Sequence, residues 1–428
     1  MRDVFEQLLA GTRLPRFARA AYAIGRAEPM DIPRAMAEAL RGRGVLRRVL
    51  PGMRVAITAG SREMGDMVPI FQSIVAEVKA CGAEPFIVPS MGSHGGATAQ
   101  GQRAVLEGYG LTEAALGCAI VSSMETVRIG DSASGLPVHI DRNAFEADGI
   151  VVVGRVKPHT DFRGRVESGL MKMMAIGLGK QHGANICHSM GFGRMAQNVW
   201  EFGSCVLEKA NVLFAVSVIE DFYHHTLRLD AVPAERIPQE EPGLLEIARV
   251  QLPGLPFDDL DSLIVQEIGK DISGSGMDSN VTGRSPYLPP ARPHVKSVAV
   301  LDITDKSHGN GTGLGLAEVT TRRAFEKFSF EATYPNAITS RGAEGCRIPV
   351  VMPSDRLAFK LAMRLSFSGQ DPRAFRAVWI RNTLSLEQFH ISEALLEEAV
   401  RDPAVTILSD PEELSFDSKG NLGEKYWA

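Results

Sequence analysis

The segment Gly154–Arg194 contains the densest group of side chains in the chain that could do chemistry. It follows an apolar stretch, Gly149–Gly154, and it holds three histidines and three lysines: His159, His182, His188, Lys157, Lys172 and Lys180. Histidine exchanges protons near neutral pH and therefore suits acid–base work. Lys172 lies in an apolar run, Leu170–Ile176, where its amine is either a buried nucleophile or attachment point, or extends to solvent. This clustering favours a functional site over a plain core helix.

A second candidate is the turn Gly60–Ser61–Arg62, which directly follows a predicted strand, Arg54–Thr58. Its backbone N–H groups, hydroxyl and guanidinium would suit a phosphate or a carboxylate. The competing interpretation is a surface turn that caps a helix. We therefore treat Ser61 and Arg62 as candidate anion-binding residues.

A third candidate is the loop Met91–Thr98, which follows the predicted strand Glu84–Pro89 and carries His94. Gly95 and Gly96 leave room for the backbone to approach a ligand closely. A histidine with small neighbours at a strand end is well placed for proton transfer. The alternative is a solvated loop histidine with no role.

Short apolar stretches alternate with helical periodicity along most of the chain, which predicts α/β domains with mostly parallel sheets. Strands are predicted at 54–58, 84–89, 149–154, 212–219, 260–268, 297–303, 347–352, 374–380 and 404–408. Helices are predicted at 68–80, 99–107 and 315–328, and residues 1–50 look helical apart from Pro29–Pro33. Because ligands bind at the carboxyl ends of parallel strands, the loops at 59–62, 90–98 and 154–160 should meet in one cleft.

Length and composition indicate a soluble globular protein with two or three domains. The Pro-rich stretch Tyr287–Pro293 is a candidate linker, so we predict domains at 1–285 and 286–428. The chain has 428 residues, of which 44% are hydrophobic and 23% charged. A net charge of −5 argues against nucleic acid as a partner. No apolar run is long enough for a membrane helix, and the first residues lack the apolar core of a secretory signal. The five scattered cysteines lack a C-x-x-C pair, so we expect reduced thiols and a cytoplasmic location.

Several other segments carry weaker signals. Gly309–Gly315 is Gly-rich but lacks the spacing of a dinucleotide-binding loop. His224 and His225 could bind a metal but are expected to be exposed. Asp271–Arg284 is a polar, Gly-rich loop that could contact substrate or simply connect domains. The zinc-protease, P-loop and nucleophile-elbow motifs do not occur in the sequence.

The chain resembles the nickel-pincer lactate racemase family, which comprises nickel-dependent racemases and epimerases of 2-hydroxyacids. The resemblance is carried by Gly92–Ser93–His94 and by the run from His159 through Lys172 to His188. Lys172 and His188 lie 16 positions apart (188 − 172), as this family's cofactor-bearing lysine and nickel-binding histidine do. Members are two-domain α/β proteins, so the resemblance implies an active-site cleft between two such domains.

The resemblance implies an isomerase that transfers hydride reversibly to and from a 2-hydroxyacid. Its cofactor would be the nickel-pincer nucleotide, a pyridinium-3-thioamide-5-thiocarboxylate mononucleotide that holds nickel. By match, the site comprises four roles: His94 and His159 as acid–base pair, Lys172 as covalent attachment, His188 as nickel ligand and Arg62 as phosphate contact. Ser61, Gly95 and Gly96 are further candidate cofactor contacts. Cofactor-synthesis enzymes would be partners, and the sequence leaves open whether the chain forms a homo-oligomer.

The sequence also departs from the family pattern. His94–Gly95–Gly96 stands where the family has His-Arg-Pro, and Ala59 stands where an acidic residue is expected. The interval from His159 to Lys172 is longer than in lactate racemase, which leaves His182 open as the second catalytic histidine. Two other functions stay open as well: a nicotinamide-type oxidoreductase on the same loops, and a non-catalytic protein that binds a metal or nucleotide.

Overall fold

The computed structural model describes residues 4–24, 28–252 and 254–427. It divides into two compact units, one formed by Arg26–Leu252 and the other by Met1–Gly25 together with Pro253–Ala428.

The helices and strands of the described residues are numbered here in chain order. The strands are β1 (Phe17–Tyr22), β2 (Arg54–Ala59), β3 (Glu84–Pro89), β4 (Ala119–Ile120), β5 (Thr126–Asp131), β6 (Pro137–Asp141), β7 (Gly149–Arg155), β8 (Val212–Glu220), β9 (Thr226–Pro233), β10 (Asp259–Val265), β11 (His294–Val300), β12 (Val319–Thr321), β13 (Val350–Met352), β14 (Ala377–Ile380), β15 (Gln388–Ser392) and β16 (Val405–Ile407). The α-helices are α1 (Val4–Leu8), α2 (Ile32–Gly42), α3 (Met67–Ala80), α4 (Ala99–Gly108), α5 (Glu113–Leu116), α6 (Arg142–Phe145), α7 (Leu170–Lys172), α8 (Lys180–His188), α9 (Met195–Lys209), α10 (Ile237–Gln251), α11 (Ser279–Thr282), α12 (Arg322–Lys327), α13 (Phe330–Ser340), α14 (Asp355–Ser366) and α15 (Leu396–Arg401).

In the unit Arg26–Leu252, the described strands form a sheet in the order β4-β3-β2-β7-β8-β9. Neighbours pair in parallel except β8 with β9. Its central strands are almost wholly apolar, as in Gly149–Gly154 of β7, because helices cover both faces of the sheet. The predicted α/β class is confirmed.

Strand order explains why a crevice forms in this sheet. From β2 the chain moves to β3 and β4 on one side, and it later returns to β7 on the other side of β2. The segments that follow β2 and β7 therefore diverge at their carboxyl ends. Such a switch in strand order is where open α/β sheets bind ligands.

The other unit has a sheet in the order β13-β12-β11-β10-β14-β15-β1-β16 across its described residues. Strands β10 to β14 pair in parallel, whereas β1, β15 and β16 run antiparallel to their neighbours. The core on one face is built around Trp379, which is fully buried.

The domain boundary predicted between residues 285 and 286 does not coincide with the division into units. Strand β10 pairs with β11 and β14, so the chain has already entered the second sheet before residue 260. At the other end, β1 pairs with β15 and β16. The stretch Tyr287–Pro293 accordingly lies within one unit, between α11 and β11.

Two predictions of local structure are wrong. The helical interpretation of the first fifty residues overlooked β1, because its small and arginine side chains (Phe17–Tyr22) also fit a helix. The helix predicted over Gly315–Phe328 is replaced by β12 followed by the shorter α12, since Val-Thr-Thr favours a strand. The other predicted strands differ from the observed ones mainly at their ends.

Among the described residues, none of the helices combines the length and the apolar character needed to cross a bilayer.

Candidate functional site

A cavity of about 170 Å³ opens at the carboxyl ends of β2, β3 and β7. Its walls include Gly60–Arg62 after β2, Ser90, Met91 and His94 after β3, and the end of β7 as far as Lys157. Lys172 and the turn that follows it complete the lining. The expectation that the three strand-end loops meet in one cleft is confirmed, and all lining residues belong to the unit Arg26–Leu252.

The cavity lining is rich in positive charge. Arg62, Arg155, Lys157 and Lys172 line it, and no acidic side chain does among the described residues. Arg155 pairs with Glu220 at 2.6 Å. Burial raises the pKa of that carboxyl, but Arg155 together with hydrogen bonds from His224 and from Gly65 N–H lowers the pKa to about 2. One arginine is thus neutralised by its partner. The remaining cations make the cavity suited to phosphate or carboxylate groups.

Lys172 stands where the helical geometry changes. Helix α7 ends at Lys172, and a single π-helical turn, Met173–Gly177, follows, with Leu178 N–H donating to Met173 C=O at 2.9 Å. Such turns concentrate at functional sites. Burial, followed by the charge of Arg62, lowers the pKa of Lys172 to about 8. A substantial fraction of the amine is therefore neutral and nucleophilic near physiological pH.

His94 lies at the exposed rim of the cavity, on the turn after β3. Its Nδ1 lies 2.8 Å from Met91 C=O and so donates to that oxygen. The neutral ring consequently keeps its lone pair on Nε2, which is the atom available to accept a proton.

The His94 turn is held by a buried polar network. The amide of Gln102 on α4 donates to Gly92 C=O at 2.8 Å and to His94 C=O at 3.3 Å. Lys180, wholly buried at the start of α8, donates to the Gln102 amide oxygen at 3.1 Å and pairs with the equally buried Asp141 at 3.2 Å. This network joins the His94 turn to the helix that ends in His188.

His159 lies on a loop whose neck is closed by backbone hydrogen bonds between Lys157 and Ser168. Its Nδ1 accepts from Asp161 N–H at 3.0 Å, so the neutral ring carries its proton on Nε2. Burial, followed by the charge of Lys172, holds the pKa of His159 well below its usual range. His159 does not line the cavity itself but interacts electrostatically with Lys172.

His188 is the last residue of α8, and the charge of Lys172 contributes to its pKa. Its Nδ1 donates to Ala184 C=O at 2.6 Å, which leaves the Nε2 lone pair available, as a metal ligand requires. Burial lowers the pKa of His188, with a further contribution from the Lys172 charge. The ring is therefore neutral near pH 7, the form that binds metals.

Some predicted site residues lie elsewhere. Gly95 and Gly96 are not in the cavity lining; a Cβ on Gly95 would come within 2.5 Å of Gln102 N, so this glycine lets the turn pack on α4. His182 is exposed and packs edge-on against His139, with ring centroids 4.5 Å apart. This position favours His159 over His182 as the histidine near Lys172.

Other candidates from the sequence do not form an additional metal site. His224 and His225 each face an acidic residue of their own loop, 3.6 and 3.7 Å away. No group of three or more His, Cys, Asp or Glu side chains converges as a metal site within residues 4–24, 28–252 and 254–427.

The other unit contains a larger cavity, of about 560 Å³, at the amino ends of β10 and β11. Its lining includes Arg284, Lys296 and Arg376, and each of these cations forms an ion pair of 2.7 Å or less. These three cations are thus already paired, whereas Lys172 makes no hydrogen bond or ion pair within the described part of the chain. The smaller cavity is the better candidate site.

Sequence reasoning missed the residues that hold the loops. Gln102 carries no signal, because an isolated glutamine on a helix is ordinary. Lys180 was counted in the polar cluster without a role, although a lysine in so apolar a stretch indicates a buried partner. Glu167 lies within the Gly154–Arg194 segment but received no role, and Glu241 lies far from any motif.

Comparison with known proteins gives an independent result. Residues 19–198 match the family model of the lactate racemase N-terminal domain. The match covers less than half of the chain. That range contains all eight site residues predicted from the sequence, from Ser61 to His188.

Two further comparisons complete the description. The structure of the lactate racemase apoprotein from Thermoanaerobacterium thermosaccharolyticum is similar, with 13% sequence identity, 86% of this chain and 88% of that chain covered, and a TM-score of 0.48. Among proteins with curated functions, none matches the chain. The lactate racemase domain match indicates racemase- or epimerase-like chemistry on a small molecule.

Proposed function

We propose that this protein is a racemase or epimerase of a 2-hydroxyacid that uses a nickel-pincer nucleotide attached to Lys172. The observation that carries the proposal is the amine of Lys172, with its pKa lowered to about 8, inside a cationic cavity at the switch point of the sheet. Around it lie His94, His159 and His188, in the order that the family resemblance requires.

The residues present fit the cofactor. Lys172 supplies a nucleophilic amine for covalent attachment, and Arg62 with Lys157 supplies positive charge for a nucleotide phosphate. His188 offers its Nε2 lone pair to nickel, and imidazole nitrogen is a ligand that nickel accepts readily. One protein ligand is sufficient here only if the cofactor supplies the others.

The chain's own residues would bind the substrate and move its hydroxyl proton. Cations of the cavity hold the substrate carboxylate, and His94 accepts the hydroxyl proton at Nε2. His159 would donate a hydrogen bond from Nε2–H to the substrate oxygen from the other loop, and it could return a proton to that oxygen only as the imidazolium. Held by Lys172, Arg62 and His188, the cofactor would supply hydride-acceptor chemistry at the substrate carbon.

The test is co-expression with the cofactor-making enzymes, followed by intact mass, nickel content and a screen for hydroxyacid isomerisation. We expect added mass on Lys172, about one nickel per chain, and interconversion of one 2-hydroxyacid pair. Lys172→Ala should lose the mass and the activity but stay folded, while Lys209→Ala, an exposed lysine on α9, should lose neither.

Three outcomes would overturn the proposal. Full activity in Lys172→Ala would exclude covalent attachment. Isomerisation or oxidation without nickel would favour a nicotinamide-type oxidoreductase. Nickel binding without isomerisation of any hydroxyacid would favour a non-catalytic binding protein.

A further inference from the structure

Helix α10 contributes no residue to the cavity lining, yet it makes polar contacts with two segments that precede Lys172: the turn at 170–171 and the loop that carries His159. One contact comes from Glu241, near its start, and the other from Arg249, near its end. Two buried carboxylates, Glu241 and Glu167, form the connections, and the side chain of each is wholly buried.

Glu241 binds the start of the helix that carries Lys172. One carboxylate oxygen accepts from Leu170 N–H and the other from Met171 N–H, both at 2.9 Å. These are first-turn amides, which have no partner within a helix, so a carboxylate satisfies them and complements the helix dipole. Lys172 is the next residue, and the position of its Cα follows from this turn.

Gly169 leaves the space that the carboxylate of Glu241 occupies. A Cβ on Gly169 would lie 2.2 Å from Glu241 Oε1, so a larger residue would displace the carboxylate from the two amides. Burial raises the pKa of Glu241 to about 7, although the two N–H donors oppose the shift. Burying a carboxyl group among apolar side chains costs stability. The contacts of Glu241 show that it binds the turn before Lys172.

The second connection runs from Arg249 through Glu167 to the His159 loop. Arg249 pairs with Glu167 at 2.6 Å. Glu167 accepts His159 N–H at 2.7 Å and Gly164 N–H at 3.3 Å. The loop that carries His159 is therefore fastened by its backbone N–H groups to a carboxylate that α10 holds in place.

We infer that α10 is a brace whose residues Glu241 and Arg249 position Lys172 and His159 relative to each other. Eight positions separate the two residues, about two helical turns, so both lie toward one side of a helix that moves as a unit. Neither is a catalytic residue, because each acts through backbone groups or through Glu167. The inference rests on the proposed function for what the positioning serves, but the brace itself is a property of the apoprotein.

The test is hydrogen exchange and lysine labelling on the full-length apoprotein. In Glu241→Gln, an NH2 group replaces one of the two oxygens that accept the N–H groups of Leu170 and Met171. Because NH2 cannot accept a hydrogen bond from an N–H, hydrogen exchange at backbone amides 170 and 171 should rise at least tenfold. The pH at which acetic anhydride half-labels Lys172 should move upward from about 8 toward the ordinary 10.5, as the amine leaves its buried setting. The matched control is Glu240→Gln, whose carboxylate pairs with Arg43 instead.

A second variant keeps the inference testable if Glu241→Gln does not fold. Arg249→Met removes a partly exposed side chain and should raise exchange at amides 159 and 164, while Arg236→Met, near the other end of α10, should not. Unchanged exchange in both folded variants, with the labelling midpoint of Lys172 still near 8, would overturn the brace. A wild-type protein that never acquires cofactor mass would instead contradict the proposed function and leave these exchange results standing.

Discussion

The loops that carry His94 and His159 follow the two strands that flank β2, and opposite kinds of partner hold them. The His94 turn is held by its carbonyl oxygens, through the Gln102 amide and the buried cation of Lys180. The His159 loop is held by its N–H groups, through the buried carboxylate of Glu167. The comparison teaches that two histidines expected to play mirror-image roles lie in unlike electrostatic settings.

The ring nitrogens show the same contrast. Nδ1 of His94 donates to a carbonyl, which leaves Nε2 ready to accept a proton. Nδ1 of His159 accepts an N–H, which leaves the proton on Nε2. Under the proposed function, the neutral rings would therefore present one hydrogen-bond acceptor and one hydrogen-bond donor to the substrate oxygen, and His159 could act as a general acid only after gaining a second proton.

The largest expected effect comes from removing either histidine. His94→Ala and His159→Ala should each lower isomerisation by about 10²–10⁴-fold, the usual contribution of a general acid or base. Stopped-flow cofactor reduction with each enantiomer should show opposite preferences in the two variants, because each histidine serves one face. His182→Ala is the control and should behave like wild type. Loss of activity in His182→Ala, with His159→Ala unaffected, would reassign the second histidine.

A second prediction concerns the ion pair behind the His94 turn. Lys180→Met should lower the free energy of unfolding by about 3–5 kcal/mol, because it leaves the carboxylate of Asp141 buried and unpaired. Lys209→Met, which removes an exposed ion pair with Glu208, should cost about 1 kcal/mol or less. Urea unfolding measures both.

The double variant Lys180→Met with Asp141→Asn makes the origin of the Lys180 effect clear. It should recover much of the loss, since the unpaired charge is gone while the amide oxygen can still cap Ala144 N–H. A single variant as stable as wild type would show that Lys180 does not support the turn.

The sequence predicted that the strand-end loops meet, but it did not predict the contacts that hold them. Strand ends were readable because β2, β3 and β7 are short apolar runs followed by polar or Gly-rich segments, and topology then brings their loops together. The order of Lys172 and His188 was readable from the family resemblance. These signals are local, or lie within one stretch of some forty residues.

The supporting contacts could not be predicted, because they join distant parts of the chain. Glu241 and Leu170 are 71 positions apart, and Lys180 and Gln102 are 78 apart. Nothing in the sequence around an isolated Glu or Gln indicates which backbone amide it will meet. The same limit explains the domain boundary, since the pairing of β1 with β15 spans almost the whole chain.

A third prediction separates two adjacent glycines of the His94 turn. Both have positive φ, +66° at Gly95 and +63° at Gly96, so alanine at either position costs about 1–2 kcal/mol of backbone strain. A Cβ at Gly96 would enter open space, so backbone strain should be the whole cost of that substitution. At Gly95 the new Cβ would meet Gln102 N at 2.5 Å and push the turn off α4. Only Gly95→Ala should also impair His94 chemistry; equal activity in the two variants would contradict this role.

The last prediction is a pH slope that isolates Glu241, the carboxylate that binds the turn before Lys172. Burial raises the pKa of Glu241 from 4.5 to about 7 in the folded protein. Between these values the folded chain keeps a proton that the unfolded chain has lost, so rising pH favours unfolding. The contribution of Glu241 to the free energy of unfolding should therefore fall from pH 4.5 to 7, by at most about 1.4 kcal/mol per pH unit, and then level off. Urea unfolding of wild type and Glu241→Gln across this range measures the slope as a difference, which cancels the contributions of other groups such as His159. A difference that grows in favour of wild type as pH rises would mean that the two N–H donors outweigh burial and that Glu241 stays ionised throughout.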